Sequence, residues 1–153
     1  MQIIHGYRDD ASLRHSFDAL AKETFGISFE NWYQDGFWTD AYDPHSIVEN
    51  GQILANVSVN QIDIPVNGKV KHFLQLGTVM TRKDRRNQGL ARKLMEYVLA
   101  TYRDTCDGFF LFANSSVLDF YPKLGTRKNL SISKAVESLT CCTSVRMINS
   151  YLS

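Results

Sequence analysis

The sequence has few cysteines, no long apolar run and almost no net charge. Its 153 residues include three cysteines, Cys106, Cys141 and Cys142. No two have CxxC spacing, and the adjacent pair is badly placed to bridge to itself. A disulfide scaffold is therefore excluded, and reduced structural thiols are expected. Lysine and arginine total 17 against 16 aspartates and glutamates, a formal net charge of +1. That balance argues against a nucleic-acid partner, which calls for a strong basic excess, so any basic function must be local. No run approaches a membrane span, and "MQIIHGYRDD" has neither the basic start nor the apolar stretch of a signal peptide. A cytoplasmic protein with no membrane partner is expected. The phosphate-binding patterns GxxxxGK[ST] and GxGxxG are missing too.

What is present is ordinary for a globular chain, with 44% apolar and 22% charged residues. The length is enough for a core within one domain, residues 1–153. "QIIHGY" suits a short strand. Between about residues 10 and 25, Leu13, Phe17, Leu20, Ala21 and Phe25 fall on one helical face, and Gly26 follows where a helix stops. The segment 29–43 interleaves Phe29, Trp32, Tyr33, Phe37, Trp38 and Tyr42 with Glu30, Asp35, Asp40 and Asp43, and suits a short helix and a loop. Asn50-Gly51 and Asn67-Gly68 are hairpin signals. With Ile53, Ala55, Val57 and Val59 alternating with polar neighbours, they predict three antiparallel strands over 45–81. From Gln88 the apolar period changes from two to 3.6, with Leu90, Ala91, Leu94, Met95, Val98, Leu99 and Tyr102 as a buried stripe. "GFFLFAN", residues 108–114, reads as a strand covered on both faces. "SSVLDFYPKLG" reads as a short helix capped by Ser115 or Ser116 and ended by Gly125. The tail, 126–153, shows weak alternation in "NLSISKAV" and "CCTSVRMI". This order predicts an α/β (α+β) fold, a mixed and largely antiparallel central sheet flanked by helices.

The charge is local in one place. Arg82, Lys83, Arg85, Arg86, Arg92 and Lys93 crowd the point where a strand becomes a helix. A helix start leaves four backbone N–H groups without intrahelical partners and carries partial positive charge, a combination that binds phosphate. Gly89 lets the backbone approach an anion because it lacks a Cβ. The corner suits a polyphosphate ligand, with the basic side chains as mobile charge around the rim. A solvated basic helix start is the plain alternative.

Arg86-Asn87-Gln88-Gly89-Leu90-Ala91 matches the [R/Q]-x-x-G-x-[G/A] signature of the GNAT superfamily of acyl-CoA-dependent N-acetyltransferases. It follows the strand "LQLGTVMT" and opens an amphipathic helix, as in that family. Further on, the strand leading to Asn114 and the stretch "DFYPKLG" are similar to the family's Asn…Tyr-x-[K/R]-x-G element. The chain resembles the family best over about residues 45–125, and more loosely in its N-terminal helices. The resemblance implies that two parallel strands splay in a V holding the pantetheine arm of acetyl-CoA, the acyl donor. Val79, Met80 and Thr81 would bond pantetheine through their backbone. The N–H groups of Arg86, Asn87, Gln88, Gly89, Leu90 and Ala91, with Arg92, would hold the pyrophosphate. Asn114 would bond the pantetheine arm, and Tyr121 would stand near the sulfur as general acid. No metal is called for.

The general base is left unassigned. Family members often use a glutamate on the strand before the phosphate loop, where this chain has Gln75 and His72; Glu49, Asp63 or a chain of waters are other options. The aromatic and acidic segment 29–43 falls where the family builds its acceptor side. Its residues fit a cationic amine, on a small molecule or a protein, and equally fit a helix-packing face. After Gly125 the family's usual aromatic is replaced by Thr126-Arg127-Lys128-Asn129, which makes the tail atypical and leaves a homodimer contact there open. A non-catalytic acyl-CoA-binding or sensing module is the alternative function.

Overall fold

Two Asn-Gly turns organise the middle of the chain. Asn50 (φ 50°) with Gly51 (φ 73°), and Asn67 (φ 51°) with Gly68 (φ 76°), are left-handed pairs. Such pairs match the right-handed twist of the strands they join. They connect β2 (Tyr42–Glu49), β3 (Gln52–Val66) and β4 (Lys69–Thr81), the three strands expected over 45–81. In the computed structural model, the described residues are 1–113 and the strand segments 127–129 and 145–149. Asn114, Tyr121, the helix expected over 115–125, Cys141 and Cys142 lie outside the described residues.

By packing, the chain divides into two compact units, Met1–Val59 with Thr78–Val98, and Asn60–Gly77 with Leu99–Ser153. In the first unit, β1 (Gln2–Ile4) lies antiparallel to β2, with Gln2 opposite Val48 and Ile4 opposite Ser46. Helix α1 (Ala11–Phe25) is capped at both ends by its own chemistry. The Asp10 carboxylate accepts from the Leu13 N–H at 3.0 Å, and Gly26 (φ 71°) donates its N–H to the Lys22 carbonyl at 3.0 Å. Its inner face adds Phe17, Leu20 and Ala21 to a core with Tyr7, Trp38, Val48, Ile53 and Met80. Phe25, expected on that face, is exposed, because it sits in the last turn just before the chain leaves the helix.

The short helix α2 (Glu30–Gln34) brings the aromatic segment onto this core, where Phe29, Trp32, Tyr33 and Tyr42 pack partly buried around Trp38. Helix α3 (Leu90–Tyr102) buries Leu90, Leu94, Met95 and Val98, the centre of the predicted stripe. Strand β3 departs from simple alternation, since Ile53 to Val59 are all buried, Asn56 and Ser58 included.

In the second unit, β5 (Gly108–Ala113) runs parallel to β4, from Phe73 opposite Gly108 to Leu76 opposite Leu111. Parallel neighbours need a crossover, and α3 lies in that connection. Phe73 and Phe110 are buried with Ile62, Ile64 and Val66 against them. The start of β5 is buried as expected, but Phe112 is 41% exposed, so the strand is not covered on both faces to its end. Asp107 ties the two strands at their entry, accepting from Lys71 Nζ at 2.7 Å and the His72 N–H at 2.8 Å. From the tail, β7 (Val145–Asn149) pairs with β5 and β6 (Arg127–Asn129) pairs with β7, both parallel. The strand order is β1-β2-β3-β4-β5-β7-β6, an α/β fold with a mixed sheet. Among the described residues, no helix is long and apolar enough to cross a membrane.

Candidate active site

The basic corner begins where β4 ends. Arg82 donates its N–H to the Leu54 carbonyl at 2.9 Å, and Lys83–Arg85 then make a single 3-10 turn. The Arg82 guanidinium grips Asp84 with two bonds, Nε to Oδ1 at 2.7 Å and a terminal nitrogen to Oδ2 at 2.9 Å. That grip holds the Asp84 carboxyl below the usual carboxylate range. Arg85 reaches Glu49 at 3.0 Å. So the expectation of six mobile cations is corrected: Arg82 and Arg85 are held by carboxylates, while Lys83, Arg86, Arg92 and Lys93 lie exposed. The sequence showed Asp84 nearby, but Glu49 is distant in the chain and only the fold brings it in.

Asn87 (φ 62°) and Gly89 (φ 74°) turn the backbone into α3, whose first bond is Lys93 N–H to the Gly89 carbonyl at 2.9 Å. The N–H groups of Gly89, Leu90, Ala91 and Arg92 therefore precede any intrahelical acceptor. No acidic residue occupies the first turn of the helix. Among the described residues, a Cβ placed on Gly89 would meet nothing within 4 Å. Open donors, a positive helix end and exposed cations meet at one spot. This is the chemistry of an anion site.

The strand feeding the corner is held in an unusual shape. Thr78 has φ 47°, a left-handed conformation that a β-branched residue seldom adopts within a strand. A buried chain of hydrogen bonds fixes it. Tyr7 and Ser46 hydroxyls meet at 2.7 Å, Ser46 donates to Asn56 Oδ1 at 2.9 Å, and Asn56 Nδ2 donates to Ser58 Oγ and to the Thr78 carbonyl, both at 2.9 Å. From the other side, the Tyr42 hydroxyl meets Thr78 Oγ1 at 2.7 Å. Burial pushes the Tyr42 phenol up to about 12 and raises Tyr7 well beyond its usual value, so both stay protonated. Directly after this clamp come Val79 and Thr81, half-buried, and Met80, buried. Sequence reading missed the clamp, because its partners lie 22 to 39 positions apart, apart from the closer Ser46–Asn56 and Asn56–Ser58 links. A signal existed: polar Asn56 and Ser58 inside an apolar strand.

The expected site residues thus fall into three sets. Val79, Met80 and Thr81 and the run from Arg86 to Arg92 share the first unit and one continuous stretch of backbone. Asn114 and Tyr121 lie outside the described residues. Of the base candidates, Glu49 is engaged by Arg85, and His72 Nδ1 lies 2.7 Å from Asp63 Oδ1 in the second unit. Gln75 accepts from Asn60 at 3.3 Å.

Much of the aromatic segment packs on the core, while Phe37 is exposed. Trp38 is buried, Phe29 meets Phe17 edge to face at 5.2 Å, and Trp32 meets Tyr42 at 5.1 Å. A cation already stands on Tyr33, namely the Arg14 guanidinium, 3.7 Å from the ring centroid. Arg14 also donates to Glu30 at 3.0 Å and to the Arg8 carbonyl at 2.9 Å.

Comparison with known proteins fits this geometry. The Acetyltransferase (GNAT) domain family profile matches residues 11–127. No curated protein matches the sequence. Several solved structures share the fold. Ribosomal-protein-alanine N-acetyltransferase from Brucella melitensis biovar Abortus 2308 aligns with a TM-score of 0.69 at 15% identity, over 86% of this chain and 96% of that one. A predicted acetyltransferase with acetyl-CoA from Clostridium acetobutylicum aligns at 0.68 and 18% identity, over 84% and 90%. Glucosamine-6-phosphate N-acetyltransferase from Arabidopsis thaliana aligns at 0.67 and 20% identity, over 86% and 93%. With the profile spanning most of the sequence, the chain belongs to the GNAT acetyltransferase domain family.

Proposed function

We propose that this chain, acting as one domain, transfers an acetyl group from acetyl-CoA to a primary amine by direct attack. The observation that carries the reading is the corner from Arg86 to Arg92, with Gly89 at φ 74° opening an acid-free helix start among exposed cations. In this proposal the backbone there holds the pyrophosphate of coenzyme A. Pantetheine lies along Val79, Met80 and Thr81, the part of β4 beyond its last paired residue with β5, Leu76. Asn114 bonds the pantetheine arm.

The chemistry asks for three things: a neutral amine, a polarised carbonyl and a protonated leaving thiol. The amine nitrogen attacks the thioester carbon, and a backbone N–H at Val79 takes the developing oxyanion, a contribution of about 3 kcal/mol for one such donor. The carbon–sulfur bond then breaks, and Tyr121 gives its phenolic proton to the departing thiolate. The nitrogen sheds its extra proton to a base or to water. The Thr78 clamp supports the oxyanion role, since it fixes the backbone immediately before Val79.

The acceptor is an amine on a small molecule or a protein, with a second copy of the chain as a further partner. Free thiol release from acetyl-CoA over a panel of primary amines tests the reaction, with Tyr121→Phe alongside. Amine-dependent release in the wild type, reduced about 100-fold or more in the variant, is expected. Full turnover in Tyr121→Phe would remove the general-acid role. Acetyl-CoA binding with no turnover on any amine would favour the non-catalytic module.

A further inference from the structure

The Val79 N–H belongs to the peptide that joins Thr78 to Val79. That peptide is trans, so in its rigid plane the Thr78 carbonyl and the Val79 N–H point in opposite directions. Asn56 Nδ2 grips the carbonyl at 2.9 Å and thereby aims the N–H as well. The tilt of the plane follows the Thr78 dihedrals. A φ of 47° is costly for a β-branched residue and persists only where the surroundings hold it. On the side chain, that hold is the Tyr42 hydroxyl, 2.7 Å from Thr78 Oγ1.

Tyr42 is in turn set by the segment before it. Its carbonyl accepts from Trp38 Nε1 and its N–H donates to the Thr39 carbonyl, both at 3.1 Å. Its ring stacks on Phe29 at 6.0 Å and meets Trp32 and Trp38 edge to face at 5.1 and 5.4 Å. Trp32 is the contact with α2. That helix buries no residue fully, and its N-cap Phe29 makes no side-chain capping bond. Its seat therefore depends on ring contacts, with Arg14 bonding Glu30 and standing on Tyr33. All these residues lie in the first unit.

We propose, resting on the oxyanion role given to the Val79 N–H, that Tyr42 is a positioning residue: it couples the seat of α2, through Trp32, to the direction of that N–H. Packed rings leave little room to absorb a displacement, so a shift of α2 moves the Tyr42 ring. The bond to Thr78 then lengthens, Thr78 relaxes from its costly conformation, and the N–H turns away from the carbonyl it should polarise. The hydroxyl stays protonated through neutral pH, since burial pushes it up to about 12, so the coupling does not titrate there.

The test needs no acceptor amine. The full chain as wild type, Tyr42→Phe, Trp32→Leu and the double variant is loaded with acetyl-CoA carrying an isotope label at the acetyl carbonyl. Difference infrared spectra read the carbonyl stretch, which falls in frequency as a donor polarises the bond. Calorimetry gives each affinity for acetyl-CoA, and circular dichroism confirms folding. Tyr42→Phe keeps the ring and removes only the hydroxyl. The stretch should fall on binding to the wild type. Tyr42→Phe should lose about half or more of that shift while its affinity stays within about threefold. Trp32→Leu should lose shift too, and the double variant no more than Tyr42→Phe alone. An equal shift in the wild type and Tyr42→Phe would overturn the proposal, as would losses that add in the double variant. A wild type that binds acetyl-CoA without a shift, or fails to bind it, would instead refute the underlying oxyanion or cofactor reading, and this proposal with it.

Discussion

Asn56 stands at the centre of the buried clamp, and its replacement by alanine is the sharpest test of what holds β4 in shape. The side chain is fully buried and makes three hydrogen bonds: it accepts from Ser46 and donates to Ser58 and the Thr78 carbonyl. Each is worth about 1 kcal/mol net. Truncation also leaves the Thr78 carbonyl and the Ser46 hydroxyl without this partner in a dry interior, and opens a small void. The expected loss is therefore about 3–4 kcal/mol, a large share of the roughly 5–15 kcal/mol that stabilises a domain. Urea unfolding at equilibrium, followed by far-ultraviolet circular dichroism, reads it as a lowered midpoint at constant slope. Because Thr78 sits in a left-handed conformation with Asn56 as one of its holds, the variant should also bind acetyl-CoA more weakly. A loss under about 1 kcal/mol would show that the network neither stabilises the fold nor restrains the strand.

Two further outcomes follow from buried charges in the same unit. Asp18, nearly buried, is opposed by desolvation, yet Lys22 at 2.7 Å, the Phe29 N–H at 2.6 Å and Ser28 at 2.9 Å together hold its carboxyl below the usual range. A depressed folded pKa means stability that is fully present above the unfolded value, about pH 4, and lost as pH falls through the folded one. Asp18→Asn should therefore be less stable at neutral pH and show a flatter acid limb in urea midpoints between pH 5 and 2, values spanning about that window; an unchanged limb would contradict this. Arg14→Leu should cost about 2 kcal/mol in the same assay. Leucine refills the apolar volume but takes the donor from the Arg8 carbonyl, leaves Glu30 to its bond with Gln34, and removes the cation from Tyr33.

The fold was legible in the sequence wherever the cause was local. Asn50-Gly51 and Asn67-Gly68 demand φ > 0 pairs whatever surrounds them, and Asp10 and Gly26 end α1 by bonds within one turn. The basic helix start was legible for the same reason, as a run from Arg86 to Arg92 at a change of period from two to 3.6. What stayed hidden depended on partners brought from afar. Arg85 finds Glu49 across 36 positions, and Tyr42 finds Thr78 across the same distance. The acids and aromatics of 29–43 fitted an acceptor surface and a packing face equally, and that Trp38 joins the core and Arg14 stands on Tyr33 depended on contacts made by the fold. Phe112 failed because an apolar run says nothing about where its cover ends.

The corner at Gly89 is proposed to hold the pyrophosphate of acetyl-CoA. Calorimetric titration of the full chain with acetyl-CoA, beside Gly89→Glu, tests it most directly. The substitution forces a side chain into φ 74° and sets a carboxylate where the anion should lie. The wild type should dissociate at micromolar concentration, about 8 kcal/mol of binding, and the variant should show no detectable binding. Equal binding in both would place the cofactor elsewhere, and no binding in the wild type would contradict the proposed reaction.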